Sequence, residues 1–209
     1  MTPAVGLHEG MVALGLDVSA ATEQTEQKLL AYLALLGKWN RVYNLTAVRN
    51  PEDMVIQHLL DSLSLVPHLA GCASLVDVGS GAGLPGIPIA IAMPGLSISS
   101  VEAVQKKAAF QQQVKIELEL GNFSVNGCRA EDLAGQYDAV TSRAFAELAD
   151  FIRLAGHLMR PGGRLLAMKG QQPDEEIARL PAGWRVGECR PLVVPGLAAR
   201  RHLIILEKT

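Results

Sequence analysis

Residues 75–86 have the sequence LVDVGSGAGLPG, a short apolar run that leads directly into Gly79, Gly81 and Gly83. A run of this kind is typical of a buried β-strand. Glycines that follow such a strand allow the backbone to turn sharply and to approach a ligand closely. Because a helix is expected over 87–93, the stretch predicts a strand–loop–helix unit whose loop binds a ligand.

Two registers of this loop imply different ligands. In the first, Gly81-x-Gly83-x-x-Gly86 matches the dinucleotide fingerprint. That register starts two residues beyond the strand and places Pro85, which has no N–H, where a helix amide would face a pyrophosphate. In the second, Asp77 stands at the strand end before alternating glycines, which suits a ligand with a positive centre and no phosphate. S-adenosylmethionine, a sulfonium with an amino-acid tail and a ribose, is such a ligand.

Glu102 is the second feature that bears on the ligand. It follows the strand expected over 97–101, about 23 residues after Gly79, where an acid can accept both hydroxyls of a ribose. The loop and this acid together favour S-adenosylmethionine. A nicotinamide or flavin dinucleotide and a purely structural loop remain the alternatives.

Strands alternate with helices from Gly71 to the end of the chain. We expect strands over 75–78, 97–101, 123–125, 137–142, 164–168, 184–194 and 202–206, and helices over 87–93, 104–120, 146–159 and 174–180. This alternation predicts an α/β fold with a doubly wound, mostly parallel sheet of seven strands. The last two strands have no helix between them, which favours an antiparallel pair at the sheet edge.

The first 70 residues have a helical pattern instead. Apolar residues recur at helical spacing from Leu29 to Tyr43, and Pro51 with the acids behind it opens a second helix. Residues 1–20 are weakly patterned, so we expect a loosely packed start. The sequence therefore predicts a helical extension over 1–70, packed on an α/β domain over 71–209.

The 209 residues are 49% hydrophobic and 19% charged, with a net charge of −2. A chain of this size buries roughly 70% of its unfolded surface without staples, and collagen-like, coiled-coil and disulfide-scaffold classes are excluded. Cys72, Cys128 and Cys189 lie far apart without CxxC spacing, which indicates buried thiols in a reducing compartment and no metal site. The most apolar stretch, 87–96, is too short for a membrane span, and no Lys or Arg precedes Lys28. We expect a soluble cytoplasmic protein.

Charge is distributed unevenly along the chain. Residues 149–209 contain 10 basic and 6 acidic side chains, whereas the two preceding thirds are each acidic by three. Since arginine pairs bidentately with phosphate, this balance favours an anionic partner. A solvated face is the simpler alternative.

Motifs spread over most of the chain resemble one family, the bacterial small-subunit ribosomal RNA guanine-N7 methyltransferases, also called glucose-inhibited division protein B. The matching segments are Trp39-Asn40, Asn44-Leu45-Thr46, His58-x-x-Asp61-Ser62, Asp77–Gly86 with Pro88, Arg129-Ala130-Glu131, Ser142-Arg143-Ala144, Lys169-Gly170 and Arg201-His202-Leu203. No motif covers the residues before Thr22. In one respect the chain departs from the family, because the basic residues that usually follow the ribose-binding acid are delayed here to Lys106-Lys107.

The resemblance implies a class I methyltransferase fold and methylation at N7 of one guanine, position 527, in 16S rRNA, within the small subunit or an assembly intermediate. The donor would be S-adenosylmethionine. The resemblance places Gly79, Leu84, Ala130, Glu131 and Arg143 at cofactor-contacting positions. The pattern of the loop and the acid after the second strand adds Asp77, Gly81, Gly83 and Glu102. We expect a monomer. A small-molecule methyltransferase and, more remotely, a dinucleotide-dependent oxidoreductase are the competing functions.

Guanine N7 carries no proton, so the transfer needs alignment and exclusion of water rather than a general base. We therefore expect no catalytic acid or base, with Arg143 linking cofactor and substrate unless it merely pairs with Glu147. His58 then has a structural role more readily than a catalytic one. The predicted RNA-binding residues are Lys106, Lys169, Arg200, Arg201 and His202, although Arg201 could instead tie down the sheet edge.

Overall fold

A computed structural model describes residues 2–16 and 20–209 of the chain. The helices are α1 (Pro3–Ala13), α2 (Ala20–Tyr43), α3 (Pro51–Met54), α4 (Asp61–Leu63), α5 (Gly86–Ala92), α6 (Gln105–Glu117), α7 (Leu148–Ala155) and α8 (Asp174–Ala178). The strands are β1 (Ser74–Val78), β2 (Ser97–Val101), β3 (Phe123–Asn126), β4 (Tyr137–Arg143), β5 (Met159–Lys169), β6 (Trp184–Pro191) and β7 (His202–Lys208). A π-helical segment, Val55–Leu60, joins α3 to α4.

The seven strands form one sheet in the order β3-β2-β1-β4-β5-β7-β6. Strands β1 to β5 are parallel, and β7 is antiparallel to both of its neighbours, β5 and β6. The predicted α/β class is therefore confirmed, including the antiparallel pairing at that end of the sheet. The order reverses between β1 and β4, which is where open α/β sheets bind their ligands.

Both faces of the sheet are covered, so its central strands are apolar on both sides. On one face, α2, α4, α5 and α6 enclose a core that includes Leu29, Tyr32 and Phe110. On the other face, α7 packs Phe151 and Ile152 against the sheet. The helices of the first 70 residues thus share a core with the sheet.

The expectation of a loosely packed start was wrong for residues 3–13. Helix α1 buries Leu7 and Met11, and an added β carbon at Gly10 would lie 2.3 Å from Leu60 of the π-helical segment. The side chain of Thr2 caps the helix, and proline follows at its first position. This close contact with the π-helical segment outweighs the low helix propensity of its glycines.

Two further expectations are corrected in the second half of the chain. Helix α7 ends at Ala155 and a 3₁₀ turn follows, so the helix predicted to run to 159 is shorter. Pro161-Gly162-Gly163, a sequence typical of a helix end and turn, lies inside β5, where a β carbon at Gly163 would come within 2.9 Å of the Asp138 carbonyl. The three cysteines are half-buried rather than fully buried. Among the described residues, no helix has the length and apolar character needed to cross a membrane.

Candidate cofactor site and adjoining cavity

The glycine loop after β1 has a backbone conformation that residues with a side chain rarely adopt. Gly79, Gly81 and Gly83 have φ values of +67°, +57° and +87°, in the left-handed region. A β carbon at Gly79 would lie 2.2 Å from the ring of Phe145. At Gly81 the nearest atom would be 4.0 Å away, so the backbone there is open to close approach by a ligand.

Glu102 is held against this loop at the end of β2. Its side chain is buried, with Oε2 accepting a hydrogen bond from Gly81 N at 2.8 Å and Oε1 accepting one from Val104 N at 2.8 Å. Each oxygen keeps a second lone pair. The carboxylate can therefore accept two further hydroxyl donors without releasing the loop.

Asp77 lies beneath the same loop and is fully buried. Its Oδ2 accepts a 2.8 Å hydrogen bond from Gly86 N, whereas Oδ1 has no partner among the described residues. Burial is the main cause that raises the pKa of Asp77 to about 7. The Gly86 amide and Arg143 oppose this rise, and Glu102 adds to it. A buried carboxylate oxygen without a partner is costly, and a cationic ligand group would relieve that cost.

Two side chains from outside the loop fix its other atoms. The Tyr32 hydroxyl of α2 donates to the Ala82 carbonyl at 2.9 Å. Gln111 of α6 donates to Ser80 Oγ and to the Gly81 carbonyl, each at 2.8 Å. Sequence reasoning missed both residues, since the apolar stripe on α2 indicated burial there but not the partner of a hydroxyl.

The remaining predicted cofactor contacts lie along the same sheet edge. Leu84 is buried in the loop. Ala130 and Glu131 form a 3₁₀ turn after β3, with Ala130 buried and Glu131 exposed. Because β3, β2, β1 and β4 are parallel neighbours, their carboxyl ends bring these residues and Arg143 to one edge.

A cavity of about 400 Å³ adjoins this edge at the ends of β4 and β5. It is lined in part by His58, Asp61, Arg143, Lys169 and Arg201. The π-helical segment contributes His58 and leads into Asp61, while β4, β5 and the residue before β7 contribute the cations. Segments that are far apart in sequence therefore form one polar pocket.

Asp61 is the centre of this pocket and is 1% exposed. Its Oδ2 accepts from Arg143 Nη1 at 2.7 Å, and its Oδ1 accepts from Arg201 Nε at 2.8 Å. Arg143 also donates to the Gln57 carbonyl at 2.8 Å. Arg143 therefore pairs with Asp61 rather than with Glu147, the partner considered from sequence. Asp61 was not among the predicted site residues, although its place in the His58-x-x-Asp61 motif was a signal.

His58 is buried beside the two arginines and is neutral near pH 7. Burial, helped by the nearby charge of Arg143, lowers its pKa to about 4. Its Nε2 lies 2.9 Å from Thr46 Oγ1, and its Nδ1 has no hydrogen-bond partner among the described residues. The ring therefore lines the cavity as an uncharged polar group.

The predicted RNA-binding residues lie in different settings. Lys169 donates to Glu176 at 2.7 Å and to the Ala146 carbonyl at 2.8 Å, and Arg201 is bound to Asp61. His202 is half-buried at the start of β7, and Arg200 is exposed. The fifth residue, Lys106, is exposed on α6, in the other half of the sheet. The structure brings Lys169, Arg201 and His202 together but not Lys106.

Comparison with known structures shows the fold. The chain is similar to the mitomycin 7-O-methyltransferase MmcR, with a TM-score of 0.63 and 15% identity over 100% of this chain and 74% of that one. It is also similar to TrmN from Thermus thermophilus, with a TM-score of 0.57 and 19% identity over 71% of this chain and 48% of that one. Rossmann-like methyltransferases thus share this sheet.

Sequence comparison identifies the family. The family model for rRNA small subunit methyltransferase G matches residues 25–204. The protein named ribosomal RNA small subunit methyltransferase G in Aromatoleum aromaticum is 57% identical over 98% of this chain and 99% of the relative. The protein of the same name in Azoarcus sp. strain BH72 is 54% identical over 100% of this chain and 98% of the relative. With this agreement over almost the full length, the chain belongs to the rRNA small subunit methyltransferase G family.

Proposed function

We propose that this protein methylates N7 of a guanine, position 527, in 16S rRNA, with S-adenosylmethionine as the donor. The observation that carries the proposal is the position of the open glycine loop and Glu102 beside a cavity lined by hydrogen-bond donors at one sheet edge. One site fits a ribose-bearing cation, and the other fits a base edge that presents acceptors. With this substrate, the protein would work in the cytoplasm and would act on a small subunit or an assembly intermediate.

The cofactor residues fit this donor chemically. The free lone pairs of Glu102 suit the ribose hydroxyls, and Asp77 Oδ1 suits the ammonium of an amino-acid tail. Gly81 leaves room for close backbone approach. We assign Gly79, Gly83, Leu84, Ala130, Glu131 and Arg143 to the same site from their places along its edge. When bound, S-adenosylmethionine supplies an electrophilic methyl group on its sulfonium.

The cavity suits guanine better than adenine at the reacting edge. The Hoogsteen edge of guanine presents two acceptors, N7 and O6, whereas adenine presents N7 and an amino donor. Arg143, Lys169 and Arg201 place only donors in the cavity. Asp61, an acceptor that lines the same cavity, is already bound by Arg143 and Arg201, so a base that accepts at O6 is favoured there over one that donates.

The chain's residues would then act by positioning. N7 offers a lone pair without a proton, so no side chain has to remove one. His58, which is neutral near pH 7, adds no further positive charge where a cationic base forms. Asp61 holds Arg143 and Arg201 in place, and its carboxylate partly offsets the positive charge of these two guanidiniums.

The test is transfer of labelled methyl from S-adenosylmethionine to naked 16S rRNA and to small subunits that lack the modification, followed by mapping of the product. We expect label at N7 of guanine 527 in at least one of these substrates. Arg143→Ala should reduce turnover by tenfold or more relative to the unsubstituted protein in the same assay. Label at another base, or on no RNA at all, would contradict the proposal and favour a small-molecule methyl acceptor.

A further inference from the structure

The basic excess of the C-terminal third is largely neutralised within the fold. Six of its ten cations form ion pairs: Arg153 with Asp150, Arg160 with Asp138, Lys169 with Glu176, Arg185 with Glu207, Arg190 with Glu188 and Arg201 with Asp61. A paired cation has less to gain from a phosphate, because it must share or give up its carboxylate. The charge balance of the sequence therefore overstates how much free positive charge this third presents.

Three cations of the N-terminal extension have the opposite character. Lys38, Arg41 and Arg49 are all exposed, and none has an acidic partner within residues 2–16 and 20–209. Arg49 donates only to the neutral Asn44 side chain, at 3.1 Å. All three therefore remain available to an anion.

These three cations line a single groove between α2 and the start of α3. The groove encloses about 560 Å³, and its other walls are neutral, with Leu33 and Met54 among them. None of the described residues that line it is acidic. Lys38 and Arg41 are three residues apart and so project from the same face of α2. The groove is complementary to a polyanion.

The groove is connected to the cavity at the ends of β4 and β5 through a short chain of contacts. Asn40, which lines the groove, accepts a hydrogen bond from Thr46 N at 2.9 Å. Thr46 Oγ1 in turn lies 2.9 Å from Nε2 of His58, which lines the cavity. Arg49 is three residues from Thr46, a reach of at most about 10 Å. The groove and the cavity are therefore neighbours in the fold, which is the arrangement that one nucleic-acid strand contacting both would need.

We propose that the groove formed by Lys38, Arg41 and Arg49 binds phosphates of the rRNA strand that flanks the methylated base. The proposal rests on the function proposed above, and it moves the main RNA contact from the C-terminal third to the N-terminal helices. Unpaired, exposed cations that neutralise phosphates release counterions, and this release makes binding depend on salt. Base identity is then determined in the cavity, and the groove positions the strand.

The experiment measures binding to a 16S rRNA transcript as a function of salt concentration. The triple variant Lys38→Gln, Arg41→Gln, Arg49→Gln should weaken binding at least tenfold at low salt and reduce the salt slope by roughly 2–2.7 units, at about 0.7–0.9 per lost contact. The matched control, Arg153→Gln, Arg185→Gln, Arg190→Gln, has the same net charge but removes cations that are ion-paired. We expect its slope to stay within about half a unit of the original.

Two companion measurements separate the possible failures. Binding of S-adenosylhomocysteine should be unchanged in both triple variants, which shows that they are folded. The proposed role of the groove would be overturned by any of three results. These are equal salt slopes for the unsubstituted protein and the groove variant, equal losses of RNA affinity in both triple variants, and no binding of the transcript by the unsubstituted protein. Methyl transfer by the unsubstituted protein is assayed separately, so its absence would contradict the proposed function while the salt slopes still test the groove.

Discussion

Three buried carboxylates at one sheet edge have different partners. Asp61 is satisfied by two guanidiniums, Glu102 by two backbone amides, and Asp77 by one amide on only one of its oxygens. A carboxylate that is already paired holds structure in place, whereas one with a free buried oxygen is ready for a ligand. This difference in hydrogen-bond partners leads to separate tests of Asp77 and Glu102, which we propose to bind the cofactor.

The raised pKa of Asp77 predicts a pH-dependent affinity. Below about 7 the buried group is protonated and cannot pair with a ligand ammonium, so affinity for S-adenosylhomocysteine should rise about tenfold from pH 6 to pH 8. Isothermal titration at each pH measures this, and Asp77→Asn should flatten the profile. In the ligand-free protein the sign is opposite: stability falls as pH rises from the ordinary value of 3.8 towards 7, because the unfolded chain ionises first. If the unsubstituted protein and Asp77→Asn have the same dependence of binding on pH, Asp77 does not contact the ligand.

Glu102→Ala should weaken S-adenosylhomocysteine binding at least tenfold, because a hydrogen bond to a charged group contributes about 1.5–3 kcal/mol. The substitution also frees the Gly81 and Val104 amides, so loss of affinity alone does not identify the ribose contact. The 2′-deoxy analogue of the ligand provides the control. If the variant weakens both ligands equally, Glu102 holds the loop and does not bind the ribose.

Helices α2 and α6 hold the loop that β1 and β2 present. Tyr32 and Gln111 satisfy three loop atoms, and the rings of Tyr32 and Phe110 pack at 6.2 Å between the two helices. A loop with three glycines has a large entropy to lose on ordering. We infer that these contacts pre-order it before the ligand binds.

Tyr32→Phe tests this role with little change in packing. It leaves the Ala82 carbonyl without its donor, at a cost of about 1–3 kcal/mol, which should raise KM for S-adenosylmethionine roughly five- to twentyfold with little change in kcat. Tyr43→Phe is the matched control, because Tyr43 lies on the same helix and is 40% exposed. A Tyr32→Phe protein with a lower melting temperature but normal KM would assign the hydroxyl to stability alone.

At the scale of the whole molecule, the helical extension predicted over residues 1–70 contributes to a core that it shares with the α/β part of the chain. Leu29, Tyr32 and Leu36 belong to the same buried cluster as Ile87 and Phe110. Removing the extension would expose to water the apolar surface of this cluster that α2 and α4 cover, including parts of α5 and α6. We therefore propose that residues 1–70 form an extension in topology but not an independent folding unit.

The fragment 71–209 should accordingly fail to fold cooperatively. Exposed apolar side chains each lose about 1.5–3 kcal/mol of burial energy, and marginal stability cannot absorb several such losses. Thermal unfolding followed by near-ultraviolet circular dichroism would show no sigmoidal transition, whereas the full chain would show one. A sharp transition in the fragment would instead make residues 71–209 an autonomous domain.

Local sequence was sufficient for the α/β class and for the conformation of the glycine loop after β1. Alternation of short apolar runs with helices predicts a parallel sheet, because parallel strands require crossover connections. The alternating glycines after Val78 predict a loop with positive φ values, which the structure has. The antiparallel pairing of β6 with β7 followed from the missing helix between them. These features depend on residues that are close together in the chain.

The partners of the polar residues were decided only by tertiary structure. Asp61 binds Arg143 and Arg201, 82 and 140 residues away, and Tyr32 reaches Ala82 across 50. Charge counts along the chain therefore pointed to the C-terminal arginines as the anionic partner's site, although folding pairs most of them with carboxylates. The physical reason is that pairing energy depends on distance and burial in space, whereas sequence reveals only how many charges exist and where they lie along the chain.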